Sequence, residues 1–343
     1  MKRMIACLCM LCFLVGCSGY RELEELQIVA GLYLDVTPEG LIRVTAETVD
    51  FSDGTEKPMV YTAEGEGIDV CMTRMMDQCG RELYLSHAEV IAISRAYAQT
   101  RLRELTEYIL HDHFLRFTTA IVVSETEDAS ELVMESSETV QSYAIARLLE
   151  NHANTGRTIS KESYKSIREL YDIGETTVFP VVMRTENGVA AQGSAVVGKN
   201  GLLILDDTQT MFFNLLCGTF RNGSIGLTLG LQDISVEIEA EHTKRSCDAS
   251  DGIIRYYVDT KLSVQPRIAS DSEELTTVVR TYLSEELHDL YDELRLIDAD
   301  ALGVLRLLRG THPEQYRTME DDASFRESVL SIRTEIHTKE VIG

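Results

Sequence analysis

Two short groups of side chains are the densest candidates for chemistry in this 343-residue sequence. His111-Asp112-His113 brings potential metal ligands together, but its two histidines share a face only on a strand and diverge on a helix. The triplet lies where a predicted helix passes into a predicted strand, and no further ligand is evident from its spacing. Ser86-His87 pairs a nucleophile with a base, yet adjacent residues on a strand point to opposite faces. We therefore expect no metal site, and we expect His87 to be a packed or hydrogen-bonded structural residue.

Acidic residues near the carboxyl end suggest a second kind of chemistry. Asp292, Asp298 and Asp300 could supply the two carboxyl groups that glycoside hydrolysis uses. The order Asp298-Ala299-Asp300 is also typical of a cap that precedes a helix, here at Ala301, and we favour this interpretation. The sequence contains none of the patterns GxxxxGK[ST], GxGxxG and GxSxG. We predict a protein with no catalytic residues and no bound cofactor, so that it is not an enzyme.

Cys17 is the residue to which the sequence assigns a covalent modification. The chain opens with Met1-Lys2-Arg3 and an uncharged run that ends at Gly16, which is typical of an export signal. That run, from Met4 to Gly16, is shorter than the roughly 20 residues that a spanning helix requires. It ends in Leu14-Val15-Gly16-Cys17, which resembles the bacterial lipobox. The resemblance implies a diacylglycerol on the Cys17 thiol, with an additional N-acyl chain left open, and removal of residues 1–16 as a signal peptide.

The charge of the chain excludes several classes of partner. It has 32 basic and 56 acidic residues and a formal net charge of -24. A generic nucleic-acid binder needs a basic face that neutralises phosphates, so we expect no nucleic acid as a partner. Removing residues 1–16 takes away two basic residues and gives a body of charge -26. Anionic head groups repel such a body, so the acyl chains at Cys17 are expected to hold it on the membrane.

Four cysteines remain beyond the predicted signal peptide and the lipidation site: Cys71, Cys79, Cys217 and Cys247. Their spacings match no CxxC motif for zinc or redox chemistry. Cys71 and Cys79 fall in one predicted helix, about 12 Å apart, which is too far for a disulfide. We expect these four residues to behave as small apolar side chains.

The first half of the chain mixes predicted strands with predicted helices. Alternating apolar residues predict two antiparallel strands at 27–35 and 41–50, and the polar stretch 51–67 is predicted as a loop. A methionine stripe at helical spacing predicts a helix that begins at Ile68 and is buried in the core. The remaining patterns predict two strands, at 89–94 and 117–124, and three helices, at 101–110, 129–150 and 160–171.

The second half is predicted to be rich in strands and tight turns. Phe179-Pro180 is interpreted as a break. Two alternating strands, at 234–241 and 254–264, are predicted to be antiparallel and joined by a polar loop at 242–252. A long helix from Leu275 to Leu294, a short helix at 301–308 and a final strand at 330–337 complete the chain.

These patterns predict a multi-domain fold of the α+β or mixed α/β class, with mixed and antiparallel sheets packed against helices. We expect an N-terminal α/β domain at residues 17–185 and a C-terminal α+β domain at residues 186–343. A further division near residue 230, into a small middle domain and a C-terminal domain, is left open.

Landmarks along the whole chain resemble one known family. Cys17 is followed at once by the stretch from Tyr20 to Gly31, and later landmarks are Leu83–Ile91, Gly193–Val197 and Asp298–Gly303. Their order and spacing are similar to those of the C subunit of spore germinant receptors, the GerC-type lipoproteins. Family members usually carry a tryptophan and an aspartate just after the lipidated cysteine, where this chain has Ser18-Gly19. The resemblance therefore indicates a divergent member.

That resemblance implies a non-catalytic subunit on the outer face of the spore inner membrane. Its implied partners are two integral-membrane receptor subunits, of the A and B types, with which it responds to small nutrients and triggers germination. An alternative is a lipid-anchored extracytoplasmic solute-binding protein that serves a transporter. Such proteins usually have longer linkers and two similar α/β lobes, whereas this sequence predicts a short linker and an antiparallel C-terminal half. The receptor subunit is therefore favoured.

Overall fold

The computed structural model describes eight segments of the chain: residues 26–50, 54–133, 139–152, 156–159, 161–186, 188–267, 271–319 and 324–339. Their strands form one sheet of nine strands and a second sheet of four. Helices pack on both sheets, so the predicted fold with mixed sheets and helices is confirmed.

The large sheet begins with an antiparallel portion. Strand β1 (Leu26–Val36) pairs with β2 (Ile42–Asp50), as the alternation predicted, and β2 pairs with β3 (Lys57–Gly65). The predicted loop at 51–67 is therefore wrong, because it contains β3. This strand lies at the sheet edge and is mostly exposed, so its sequence needs no apolar alternation.

Parallel strands continue the large sheet on the other side of β1. β4 (Glu82–Tyr84) and β5 (Val90–Ile93) both run parallel to β1 and are separated by a single 3₁₀ turn. β6 (Ala120–Ser124) and β7 (Thr177–Thr185) extend the sheet as further parallel strands, and β8 (Gly188–Gly198) pairs antiparallel with β7. β9 (Gly201–Leu205) follows as an antiparallel neighbour of β8. All four residues of β5 are buried, as expected for a strand covered on both faces.

Pro180 lies inside β7, so the predicted break at Phe179-Pro180 is wrong. The register between β7 and β8 shifts between Pro180 and Val182. A proline has no N–H to donate, and such an irregularity is where a strand tolerates one. The predicted domain boundary after residue 185 falls in the turn between β7 and β8, both of which belong to the large sheet. The division into two domains stays a prediction.

Five helices that precede β7 in the chain pack on the two faces of the large sheet: α1 (Ile68–Cys79), α2 (Arg95–Thr100), α3 (Leu102–His111), α4 (Gln141–His152) and α5 (Ser163–Leu170). Met72 and Met75 are buried, which confirms the methionine stripe as core. The other face of the large sheet packs against Ile145 and Leu149 of α4. The helix predicted at 129–150 is wrong in its first residues, since 129–132 form a 3₁₀ turn and α4 begins at Gln141.

The small sheet follows α6 (Asp207–Leu216) and has the order β10 (Asn222–Leu229), β11 (Gln232–Asp248), β12 (Arg255–Pro266) and β13 (Val329–Thr338). Three helices separate β12 from β13: α7 (Ser272–Leu296), α8 (Val304–Thr311) and α9 (Pro313–Met319). The inner face of the sheet packs against α7, whose Leu275, Val279 and Leu287 are fully buried. The predicted long helix is confirmed.

Two predictions for the small sheet are corrected by its register. The loop predicted at 242–252 is wrong, because β11 continues to Asp248 after a register shift between Ala240 and His242. Lys244 lies opposite Asp259 there, and an opposite-charge pair supports a ladder without apolar alternation. The final strand β13 runs parallel to β12 rather than antiparallel, since α7 to α9 carry the chain back to the other end of the sheet.

Candidate functional site

His111 and Asp112 of the His111-Asp112-His113 triplet make separate local contacts. His111 closes α3, and its Nδ1 lies 2.7 Å from the Glu107 carbonyl oxygen. The Asp112 carboxyl group accepts the backbone N–H of Phe114 at 2.7 Å and of Leu115 at 2.8 Å. In the segments that the structure describes, no group of three or more histidine, cysteine, aspartate or glutamate side chains is arranged to hold a metal ion.

Ser86 and His87 lie in the 3₁₀ turn between β4 and β5 rather than on a strand. The Ser86 hydroxyl donates a hydrogen bond to the Phe114 carbonyl oxygen at 3.0 Å. His87 is exposed, and its ring centroid lies 5.8 Å from that of Tyr84. The turn therefore places His87 at the surface, not in the packed position that the sequence suggested.

Asp300 caps a helix, as predicted. Its carboxyl oxygens accept the backbone N–H of Val304 at 2.7 Å and of Leu305 at 2.9 Å, so the helix begins at Val304 rather than at Ala301. Burial raises the pKa of Asp300 to about 7, against the lowering effect of these N–H groups. Asp292 lies on α7 and pairs with Arg295 at 2.8 Å. Both of these acids are thus engaged in structural contacts.

The four cysteines of the described segments are free thiols. Cys71 and Cys247 are buried, and Cys79 and Cys217 are half-buried. Burial raises the pKa of the Cys71 and Cys247 thiols and raises that of Cys217 to about 12. A raised pKa disfavours the nucleophilic thiolate. Cys17 and the predicted signal peptide lie outside the described residues, so lipidation stays a prediction.

A buried carboxyl group on β2 fixes α4 against the large sheet, and sequence reasoning missed it. Glu47 is 1% exposed, and it accepts the backbone N–H groups of Gln141 and Ser142, each at 2.7 Å. The Ser142 hydroxyl also donates to Glu47 at 2.6 Å, and the Tyr33 hydroxyl lies 2.9 Å from the Ser142 oxygen. Gly31 leaves room for this arrangement, since a Cβ there would lie 2.2 Å from the Ser142 hydroxyl oxygen.

Asp35 on β1 holds the 3₁₀ turn at 129–132 in the same way. It is fully buried, and its carboxyl group accepts the backbone N–H of Ala129 at 2.5 Å and of Ser130 at 3.3 Å. Burial is the main cause that raises the pKa of Asp35. Asp35 and Glu47 therefore hold the 3₁₀ turn and α4 by their otherwise free N–H groups. No local sequence signal links partners about 95 residues apart.

The large and small sheets meet through several polar contacts. The Asp172 carboxyl group, just after α5, forms ion pairs with the guanidinium groups of Arg309 at 3.1 Å and Arg306 at 3.5 Å, both on α8. The Asn200 N–H in the β8–β9 turn donates to the Ile297 carbonyl oxygen at 3.1 Å. Gly198 permits this approach, because a Cβ there would lie 2.6 Å from the same carbonyl oxygen. These contacts tie the residue after α7 to the β8–β9 turn and tie α8 to the segment after α5.

No helix in the described ranges is both long enough and apolar enough to cross a membrane.

Comparison with protein families identifies both halves of the chain. Residues 19–183 match the family described as "Spore germination protein N-terminal domain". Residues 192–341 match the family described as "Spore germination B3/ GerAC like, C-terminal". The chain belongs to the GerC-type spore germination proteins. The family recognised from its sequence landmarks is thereby confirmed.

Individual relatives agree with this assignment over most of the chain. "Spore germination protein GerQC" of Bacillus cereus is 20% identical over 342 residues, which cover 95% of each protein. "Spore germination protein A3" of Bacillus subtilis (strain 168) is 22% identical over 282 residues, covering 79% of this GerC-type chain and 75% of the relative. A solved structure, "Crystal Structure of the GerBC protein", matches with a TM-score of 0.60 at 16% identity, covering 90% and 96% of the two chains. At this identity the structural match establishes the fold.

Proposed function

We propose that this GerC-type protein is the non-catalytic, lipid-anchored C subunit of a nutrient germinant receptor on the outer face of the spore inner membrane. Its partners are two integral-membrane subunits of the A and B types. The observation that carries the proposal is the family match on both halves of the chain, from residue 19 to residue 341. Both matched parts of the chain then belong to one receptor subunit.

The proposed anchor is the diacylglycerol on Cys17. Leu26, where β1 begins, lies nine residues after Cys17, and this stretch spans at most about 30 Å when fully extended. An acidic body of charge -26 gains little from anionic head groups, so the acyl chains supply the affinity for the membrane. The short connection keeps the large sheet close to the external loops of the membrane subunits.

The absence of catalysis is supported by what the candidate side chains do. Asp300 and Asp112 accept backbone N–H groups, Asp292 is paired with Arg295, and Ser86 donates to a carbonyl oxygen. Each group is committed to holding a helix end, a loop or a surface pair. A purely structural use of these residues fits a subunit that acts by contact with partners.

The solute-binding alternative receives less support from the architecture. A solute-binding protein is expected to have two similar α/β lobes, whereas the described segments form one sheet of nine strands and one of four. The two sheets also differ in topology, since the small one has a single parallel pair, β12 with β13. The receptor subunit is the better account.

Co-purification from spore membranes tests the proposed complex. An affinity tag after Gly343 should recover two integral-membrane proteins of the A and B types from detergent-solubilised membranes, identified by mass spectrometry. Untagged spores prepared in parallel provide the control for adventitious recovery. Recovery of the chain alone would contradict the proposal, and recovery with the membrane subunits of a transporter would support the alternative.

A further inference from the structure

Aromatic side chains are exposed together at the end of the large sheet where its parallel strands β5 and β6 begin. Phe114 and Phe117 are each 49% exposed and Tyr164 is 45% exposed. The Tyr84 ring centroid lies 6.0 Å from that of Phe114 and 5.8 Å from that of His87. The Tyr164 N–H donates to the Phe117 carbonyl oxygen at 3.1 Å. We call these five residues the aromatic edge: Tyr84, His87, Phe114, Phe117 and Tyr164.

The loop that carries the two phenylalanines is fixed by hydrogen bonds. Asp112 accepts the N–H groups of Phe114 and Leu115, and Leu115 is buried. At the other end of the loop, the Thr119 hydroxyl donates to the Ala88 carbonyl oxygen at 2.9 Å. The backbone thus directs Leu115 inward while Phe114 and Phe117 remain half-exposed. A cluster of exposed aromatic rings on a fixed loop is typical of a contact surface.

The aromatic edge lies beside the point where the chain enters the described fold. β1 begins at Leu26, and Ile28 on this strand is paired with Tyr84. Because Cys17 is nine residues before Leu26, a lipid on Cys17 keeps Leu26, and with it the start of β1, within about 30 Å of the bilayer surface. The opposite end of β1, at the turn that contains Glu39, lies farther along an 11-residue strand about 33 Å long.

Two ion pairs lie beside the aromatic edge, in contrast to the large net negative charge of the chain. Glu89 pairs with Arg116 at 2.7 Å, and Glu162 pairs with Lys165 at 2.5 Å. Lys165 also lies 5.6 Å from the centroid of the Tyr164 ring. Since each of these two carboxyl groups has a cation next to it, repulsion from anionic head groups is weaker here than the net charge of the chain suggests.

We propose that the aromatic edge sits in the head-group region of the phospholipid bilayer and so fixes the orientation of the body on the membrane. Tyrosine suits this region because its ring packs on the apolar side while its hydroxyl stays hydrated, and phenylalanine rings enter the apolar side. The proposal rests on the lipid anchor of the proposed function. It places the Glu39 turn on the side that faces away from the bilayer.

Tryptophan reporters test this orientation directly, because the chain contains no tryptophan of its own. Phe114→Trp and Phe117→Trp are made separately in the lipidated mature chain, which is reconstituted into phosphatidylcholine and phosphatidylglycerol vesicles. We expect lipids brominated near the head-group end of the acyl chain to reduce tryptophan emission about twofold or more, with a shift to shorter wavelength. Glu39→Trp, in the exposed turn, is the matched control and should emit equally with and without bromine.

If Phe114→Trp and Phe117→Trp emit equally in vesicles with and without brominated lipid, the proposal is overturned. The aromatic edge would then be a surface for a protein partner. Quenching of Glu39→Trp to the same extent would also overturn it, because the body would then have no fixed orientation. Circular dichroism of each variant checks its fold. Fatty-acid label on Cys17 is measured in the same preparation, so failure of the anchor is distinguished from failure of the aromatic edge to enter the bilayer.

Discussion

Replacement of Cys17 by alanine should abolish lipid attachment and cleavage of residues 1–16 together, because the signal peptidase of the lipobox pathway cuts after the thioether has formed. The wild-type chain should incorporate radiolabelled fatty acid and yield a mature N-terminus at Cys17. The variant should incorporate no label and keep its full N-terminal segment. Radioactivity of the purified chains measures the first outcome, and mass spectrometry of their N-termini measures the second.

Cys79→Ala is the matched control for this experiment. Cys79 is a half-buried free thiol on α1, so its loss removes a cysteine without touching the lipobox. This control should be labelled and cleaved like the wild type. Label in Cys17→Ala, or a mature wild-type N-terminus at another residue, would contradict the assignment of the anchor.

Glu47→Ala should lower the free energy of unfolding by about 3 kcal/mol or more, out of a total of about 5–15 kcal/mol. The substitution leaves the N–H groups of Gln141 and Ser142 buried without their acceptor. Each buried donor that loses its partner costs about 1–3 kcal/mol. Urea unfolding of the soluble body, residues 18–343, followed by circular dichroism measures the loss.

Two further variants separate the role of the acceptor from a general effect of substitution. Glu47→Gln keeps one oxygen acceptor and should lose less stability than Glu47→Ala. Glu39→Ala, at an exposed turn, should stay within about 0.5 kcal/mol of the wild type. Hydrogen exchange in α4 should accelerate most in Glu47→Ala, since this helix loses its N-terminal cap. Wild-type stability in Glu47→Ala would show that the buried carboxyl group does not hold the helix.

Elements with a clear apolar period could be predicted from sequence. β1 is a nearly continuous apolar run and β2 alternates apolar with polar residues, and both strands are largely buried, whereas α7 repeats leucines and valines at helical spacing. The cap at Asp300 was also recognisable, because an aspartate before an apolar helix satisfies the first free N–H groups. These signals are local, and burial enforces each of them.

Elements without that period were missed for identifiable reasons. β3 lies at a sheet edge, and the distal half of β11 extends as a polar ladder, so neither shows the apolar alternation of a buried strand. Pro180 indicated a break, yet the register shift next to it accommodates the missing N–H. In each case tertiary pairing outweighed the local preference of the sequence.

The structural features that matter most for the site depend on contacts between distant segments. Glu47 meets α4 across about 95 residues, and the aromatic edge brings together residues from three separate segments. The β7–β8 hairpin also places residues on both sides of the predicted domain boundary in one sheet. The spacing of residues in the sequence does not show which distant segments come into contact, so these contacts are seen only in the folded chain.

The response of spores to nutrients tests the central claim most directly. In a strain whose other C-type receptor subunits have been deleted, loss of this chain should reduce nutrient-triggered germination to the level of spores without nutrient. The fall in optical density of the spore suspension measures germination, and a wild-type copy should restore it. The account predicts this loss and this recovery. Nutrient-triggered germination at the unchanged rate in spores without the chain would contradict it.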